Sequence, residues 1–329
     1  MHIKLYPINC AQTHFLATEC VPRTIFNSIL TIRRTDKLRK TGQLGGGNSE
    51  WLKLMENNMI DGLMLVTSLK SSDMILWNPS IRKSLILPRC PFSCTFNDVK
   101  YYLGYAPMSN DYKVVAVERA DDKALELSIA IYSVGDHLWR VHPNKIKVPI
   151  RCFERIQARD GVVFSQGVMY WRPYSRILLE ENTHLICFDF DDEKFSYLKL
   201  PDIEKDMLVF VFLLGGSLAV LGISHVRSCI WVMEKDAGRE PWRQYYSGDF
   251  IFDAYEFISD CSSQSLQILY IESSGTLLVG GGKKLMSYNM TSHHIQHLGR
   301  SIRCTSVDTY VESLVLHKGS KGATLTSLP

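Results

Sequence analysis

The sequence contains no run of about 18 apolar residues, so it offers no helical membrane span. Its opening, MHIKLYPINCAQ, lacks a basic segment leading into an apolar one, and a secretory signal is not expected. Stretches with the apolar period of an amphipathic helix are nearly absent; Ala158–Asp160 and Glu180–Thr183 have room for one turn each. Paired cysteine spacing is missing as well. The nine cysteines are an odd, scattered set, and several, including Cys187 and Cys229, sit inside apolar runs. There a reduced thiol behaves as a small hydrophobe, which fits a reducing compartment, cytoplasmic or nuclear.

Signatures of catalytic and ion-binding chemistry are missing too. No Gly-x-Ser-x-Gly nucleophile turn occurs. Gly280-Gly281-Gly282-Lys283-Lys284 lacks the glycine spacing and the following Ser/Thr of a phosphate loop and reads as a hairpin turn. The carboxylates of Asp189–Glu193 alternate as in a calcium loop, but Lys194 and Leu200 stand where that loop needs Gly and Glu; a solvated turn is expected. His293 and His294 point to opposite faces of a hairpin and suit the surface better than a metal. Cys90 and Cys94 are spaced too widely for a zinc knuckle. Isolated carboxylates such as Asp160 and Asp249 leave one further alternative, a propeller glycoside hydrolase with carboxylates facing across a central axis, or a propeller lectin. No catalytic, cofactor-binding or metal-ligating residue is assigned.

What is present is β-structure. Apolar residues make up 46% of the 329 and charged residues 22%, ordinary values for a globular chain, and aromatics at 11% favour strands. Leu185–Pro201 (LICFDFDDEKFSYLKLP) is an apolar run, an acidic turn and an alternating run stopped by Pro201, the pattern of a β-hairpin. Its outline recurs at Leu76–Pro88, Ile131–Pro143, Ile230–Tyr246 and Met286–Leu298. The anchors Trp77, Tyr132, Phe188, Trp231 and Tyr288 lie 55, 56, 43 and 57 residues apart. Spacing of that order with about four strands per interval predicts a β-propeller, kelch-like, with about six blades of short antiparallel strands. Tyr310–Leu316 is the last expected strand.

Residues 1–50 hold seven Lys/Arg against three Asp/Glu, whereas the other 279 are nearly balanced at 30 and 31. The excess lies in Arg33–Lys40, expected as a solvated loop rather than a nucleic-acid contact. The organisation that follows is an N-terminal linker-like segment, 1–50, able to contribute strands at His2–Pro7 and Asn27–Arg33. The β-propeller-like domain covers 51–318, and 319–329 is a loose tail.

LWNPSIRKSLILP at 76–88 resembles the opening signature of the plant F-box-associated domain, in which Trp-Asn-Pro leads to Leu-Pro. LGYAPMSNDYKVV at 103–115 resembles that family's most specific stretch, with Ala106 where an Asp is usual. IYSVGDHLW at 131–139, GVVFSQGVMYW at 161–171, CFDFDDEKF at 187–195 and IWVMEKDAGREPW at 230–242 match successive blocks in order, so the resemblance covers roughly residues 55–320. It implies a protein-interaction module, not an enzyme. In relatives that carry an F-box, such a module presents substrates to a cullin ubiquitin ligase through a Skp1-type adaptor. Residues 1–50 resemble the linker that follows an F-box, so the expected partner is a protein substrate of unknown identity. The Skp1-type adaptor is expected only if an F-box is supplied elsewhere. A truncated paralogue without adaptor function is the alternative within the family. Neither a membrane nor a nucleic acid is expected as partner.

Candidate contact residues come from Trp171-Arg172-Pro173-Tyr174-Ser175-Arg176, which interleaves aromatics with arginines, the side chains enriched at interface hot spots. Trp171 is expected in the core, leaving Arg172, Tyr174 and Arg176 as the partner-binding candidates.

Overall fold

Short apolar runs separated by turn formers pair with their sequence neighbours, and the result is an all-β propeller. The computed structural model describes side chains at residues 59–66, 74–78, 81, 83–92, 99–118, 126–143 (144 excepted), 145, 162–172, 183–204, 207–234, 241–248, 267–280, 285–297 and 313–315; further strands are described by their backbone. Among the described residues there is no α-helix and one 3-10 turn, Glu272–Ser274.

The first sheet contains β1 (His14–Glu19), β2 (Ser28–Ile32) and β3 (Leu38–Gln43). The second is β4 (Leu52–Ile60), β5 (Leu63–Ser68), β6 (Met74–Asn78) and β7 (Lys83–Ile86). The third is β8 (Val99–Ala106), β9 (Asp111–Arg119), β10 (Glu126–Ser133) and β11 (Leu138–Val141), with β12 (Ile146–Lys147) also paired to β10. The fourth is β13 (Val162–Ser165), β14 (Val168–Trp171), β15 (His184–Asp189) and β16 (Lys194–Lys199). The fifth is β17 (Leu208–Leu214), β18 (Ser217–Ile223), β19 (Arg227–Met233) and β20 (Trp242–Asp249). The sixth is β21 (Leu266–Ile271), β22 (Thr276–Gly281), β23 (Lys284–Asn289) and β24 (Ile295–Gly299). β25 (Cys304–Tyr310) returns to β1, giving the order β25-β1-β2-β3, and β26 (Leu325–Ser327) adds outside β7. Five of these six sheets are described with side chains, and the first by its backbone pairing alone.

The third, fourth and fifth sheets each bury both faces against a neighbour. Val114 packs with Leu65, Leu76 and Tyr132 between the second and third sheets, while its neighbour Val115 packs with Tyr102, Trp171 and Phe188 between the third and fourth. Successive side chains of a strand point to opposite faces, so one strand serves two cores. Leu185, Cys187, Val209 and Val220 join the fourth sheet to the fifth, and Phe212, Leu221, Leu277 and Tyr288 join the fifth to the sixth. Innermost strands meet across these seams: β4 contacts β8, β13 contacts β17, β17 contacts β21, β21 contacts β25, and β25 contacts β4.

The aromatic repeat has a structural meaning. Trp77, Tyr132, Phe188, Trp231 and Tyr288 all fall on the third strand of their sheets, β6, β10, β15, β19 and β23. Four of them face a residue seven positions on: Trp77 opposite Ser84, Tyr132 opposite Trp139, Phe188 opposite Phe195 and Tyr288 opposite Ile295. In three, the residue five positions on is in the left-handed region, His137, Glu193 and His293, with φ of 56°, 53° and 56°. The residue after the anchor caps that turn. Asp189 Oδ1 accepts from the N–H of Asp191 and Asp192, and Asn289 Oδ1 from Thr291 and Ser292.

Three expectations differ from the structure. Leu38–Lys40 of the basic run belong to β3, with Lys40 opposite Leu30 and Arg39 opposite Thr31, rather than to a loop. Charge on an outer edge strand discourages pairing with other chains and does not prevent pairing inward. The last strand of the first sheet is Cys304–Tyr310, upstream of the apolar Tyr310–Leu316, because it is fixed by pairing with β1 and needs no continuous apolar run. Within 319–329, expected as a loose tail, Leu325–Ser327 pair with β7. His2–Pro7, Ala158–Asp160 and residues 180–182 of the Glu180–Thr183 stretch lie outside the described residues.

Candidate interaction surface

Because neighbours are antiparallel and consecutive, first-to-second and third-to-fourth connections gather at one end of the propeller. Second-to-third and sheet-to-sheet connections gather at the other. The two ends differ sharply. From the second sheet to the sixth, the first end has connections of two to eight residues, among them 61–62, 107–110, 166–167, 190–193 and 234–241. The second has the four longest, of 12 residues (87–98), 14 (148–161), 12 (172–183) and 16 (250–265).

The short-turn end is a clasp between the third and fourth sheets. Three consecutive residues of β9 divide their bonds among three sheets. Asp111 accepts from Ser133 Oγ at 2.6 Å and from the Gly135 N–H at 2.8 Å within its own sheet. Tyr112 donates to Asp61 Oδ2 at 3.0 Å in the preceding sheet. Lys113, buried, donates to the Phe190 carbonyl at 2.6 Å and to Glu193 Oε1 at 2.8 Å in the following sheet. Arg140 grips Glu193 with two bonds, 3.1 and 2.8 Å, and Asp191 accepts from the N–H groups of Met108 and Ser109, each at 3.1 Å. Burial pushes the Glu193 carboxyl up, but the hydrogen bonds and charges of Lys113 and Arg140 outweigh it and hold the group below the usual carboxylate range. Burial first, then the Asp61 charge, pushes the Tyr112 phenol well above its ordinary value.

The acidic turn thus has a use that its sequence conceals. It is expected as a solvated turn, yet Asp189 caps the turn itself, Asp191 and Glu193 hold the neighbouring sheet, and only Asp192 pairs at the exposed rim with Lys194. The most family-specific stretch, 103–115, is the other half of the clasp. Sequence reasoning missed Lys113 and Glu193 as partners, since nothing local links positions 80 apart.

At the long-connection end, Trp171 is buried, as expected, and Arg172 follows it half-buried. The Arg172 guanidinium donates to the Val209 carbonyl of β17, tying the fourth sheet to the fifth. Tyr174 and Arg176 lie outside the described residues, so the structure brings no two of the three candidates together. Beside the same seam, Arg227 pairs with Glu204, both half-exposed, and Val226 is 72% exposed. Ser224, fully buried, accepts from the N–H groups of Val226 and Arg227 and fixes that turn.

Other candidate sites resolve as turn chemistry. His293 accepts or donates at Nδ1 with the Tyr288 hydroxyl, 2.7 Å away. Gly280 and Gly281 end β22 at its connection to β23. Asp249 ends β20, an outermost strand, and so stands away from the axis that an enzymatic carboxylate pair would have to span; Asp160 lies outside the described residues. Among the described residues no three His, Cys, Asp or Glu side chains group to hold a metal ion, and no helix is long and apolar enough to cross a membrane.

Known proteins resemble this chain in the same terms. The F-box protein At4g19940 of Arabidopsis thaliana is 23% identical over 270 residues, 74% of this chain and 61% of its own length. The F-box protein At1g53790 of the same plant is 26% identical over 166 residues, 49% of this chain and 35% of its own. Another Arabidopsis thaliana relative, 27% identical over 188 residues, is matched over 53% of this chain and 36% of its own length. The chain therefore spans about a third to three fifths of these relatives. A functionally unknown protein from Desulfotomaculum acetoxidans, 9% identical, aligns over 92% of this chain and all of its own with a TM-score of 0.49, too distant to inform function. The model of the F-box associated beta propeller domain matches residues 23–277, well over half of the sequence, and the chain belongs to that family.

Proposed function

We propose that this chain is a protein-interaction module rather than an enzyme, and that it recognises a protein substrate through the long connections at one end of the propeller. The observation that carries this reading is the asymmetry of the two ends. From the second sheet to the sixth, tight turns and a charged clasp lock one end, whereas the four longest connections between consecutive strands, including the one with Arg172, Tyr174 and Arg176, join strand ends at the other; the 14-residue connection 311–324 between β25 and β26 stands apart from them. Binding residues concentrate on loops positioned by a rigid scaffold. Membership of the F-box associated family and F-box names among the relatives support a receptor role. In a longer protein with an F-box, that segment would dock on a Skp1-type adaptor, and the bound partner would become a ubiquitylation substrate in the cytoplasm or nucleus.

The test is proximity labelling with the full chain in plant cells, comparing the native sequence with a variant whose residues 173–182 are replaced by a Gly/Ser segment of equal length. Arg172 stays, because it ties two sheets together. Selective loss of captured proteins is the expected result. Unchanged capture after replacement of each long connection in turn, with loss on altering Met108 or Lys194 at the short-turn end, would overturn it.

A further inference from the structure

Five sheets end outward in a strand that follows its neighbour in sequence, as in β3, β11, β16, β20 and β24. The second sheet differs: beyond its fourth strand, β7, lies β26, drawn from residues 325–327. We propose that the outer edge of β7 is a strand-addition site for an extended segment of another protein, and that β26 fills this site in cis as an exchangeable occupant.

The edge is defined by its ladder. The Leu87 N–H donates to the Met74 carbonyl at 2.8 Å, so Leu87 turns its backbone groups toward β6. In an antiparallel ladder these directions alternate along the strand. Leu85 and Lys83 therefore also face β6, and Ser84 and Ile86 face outward. The register Leu325↔Leu85, Thr326↔Ser84, Ser327↔Lys83 makes Thr326–Ser84 the pair that exchanges two backbone hydrogen bonds. Described pairing stops opposite Leu85, one residue short of Ile86, whose side chain is 51% exposed. An occupant longer than β26 engages the outward groups of both Ser84 and Ile86.

The described ladder holding β26 is short. Two backbone bonds oppose the ordering of three residues, contributions of similar size. The firm attachment lies upstream. Asn78, fully buried on β6, donates from Nδ2 to the Ser313 carbonyl at 3.0 Å, Ser313 Oγ at 3.1 Å and the Val315 carbonyl at 2.8 Å. Val315 packs against the core between the second and third sheets. Residues 316–324, with Gly319 and Gly322, connect this anchor to β26, so a released β26 stays near at an effective concentration of about millimolar. An occupant from another protein must exceed that competition. The register also states what it looks like: position 325 stands opposite Leu85, which continues the buried row Leu65, Leu76, Leu85 across the sheet. The fitting segment is extended, with an aliphatic residue at that position and small residues opposite Ser84 and Lys83.

The test uses the full chain, native and Thr326→Pro, which removes the donor N–H of the exchanging pair. The probe is a fluorescein-labelled peptide of sequence ATLTSLP, residues 323–329, with a control N-methylated at its central Thr. Anisotropy is expected to show at least tenfold tighter binding to Thr326→Pro than to the native chain, and none by the control. Equal affinity for both proteins, or binding by the control, overturns the proposal. Should the variant unfold, amide exchange on the native chain decides: the Ser84 amide is expected to exchange faster than that of Leu85 and to slow with millimolar peptide. Equal protection of the two amides, or a concentration-dependent dimer exchanging β26 between copies, overturns it as well.

Discussion

The ring of Phe190 occupies the space above Gly104, so close that a Cβ built on Gly104 would lie 2.0 Å from the tip of that ring. Phe190 cannot yield. It is fully buried, set edge-on between Phe164 and Phe188, and its backbone is held by the Gly167 carbonyl on one side and Lys113 Nζ on the other.

Gly104→Ala is therefore expected to cost about 3 kcal/mol or more through overpacking. Phe190→Ala alone leaves a cavity and costs about 3–5 kcal/mol. The double variant should lose less than the sum, because the new methyl enters the emptied space. Urea unfolding of the four proteins checks this, and strict additivity would remove the contact as the cause.

Acid should loosen the same seam. Glu193 has a folded value held below the ordinary carboxylate one, so its contribution is complete above the ordinary value and disappears as pH falls through the folded one. Glu193→Gln leaves buried Lys113 without its counter-charge and is expected to cost about 2 kcal/mol at pH 7, less than for a wholly buried pair. Thermal unfolding from pH 7 to pH 3 should show native and variant proteins converging at the acid end. Parallel curves across that range would assign Glu193 no electrostatic part.

Cys187 offers a readout of blade packing. Burial raises its thiol to about 11, offset only in part by bonds involving Ser196 and Leu198. At pH 8 its thiolate fraction is on the order of one in a thousand. Iodoacetamide should label Cys187 at least 100-fold more slowly in the folded chain than in urea, followed by mass spectrometry of the peptide containing it. Rapid native labelling would mean that the seam of Leu185, Val209 and Val220 opens on the timescale of the reaction.

Strand and turn order was legible because each hairpin is local. Apolar alternation, turn formers such as Gln166-Gly167 and Gly215-Gly216, and the third-strand aromatics all act within a few residues. The clasp was not legible. Phe190 sits between aspartates and reads as part of a polar turn, although the turn folds inward and buries it completely. Nothing local to Lys113 marks its ammonium as neutralised by a carboxylate 80 positions away. The same limit hid the pairing of β1 with β25 and of β7 with β26, whose partners lie hundreds of residues apart and leave no local pattern. For the candidate contacts, sequence placed Trp171 correctly in the core, but the bond from Arg172 to Val209 depends on which strand the next sheet presents there.

The union of β1 with β25 also sets a timetable for synthesis. Strands β4 to β24 of the second to sixth sheets can pair as they leave the ribosome, each set from contiguous chain, and only β26 joins the second sheet late. β1 must wait, its edge unsatisfied, until residues 304–310 emerge. Translation halted before that point would leave this edge open to foreign strands and the inner strands β4 and β21 without the neighbour that separates them, a species suited to chaperone capture or degradation. Closure of the ring thus doubles as a proofreading step on the length of the chain.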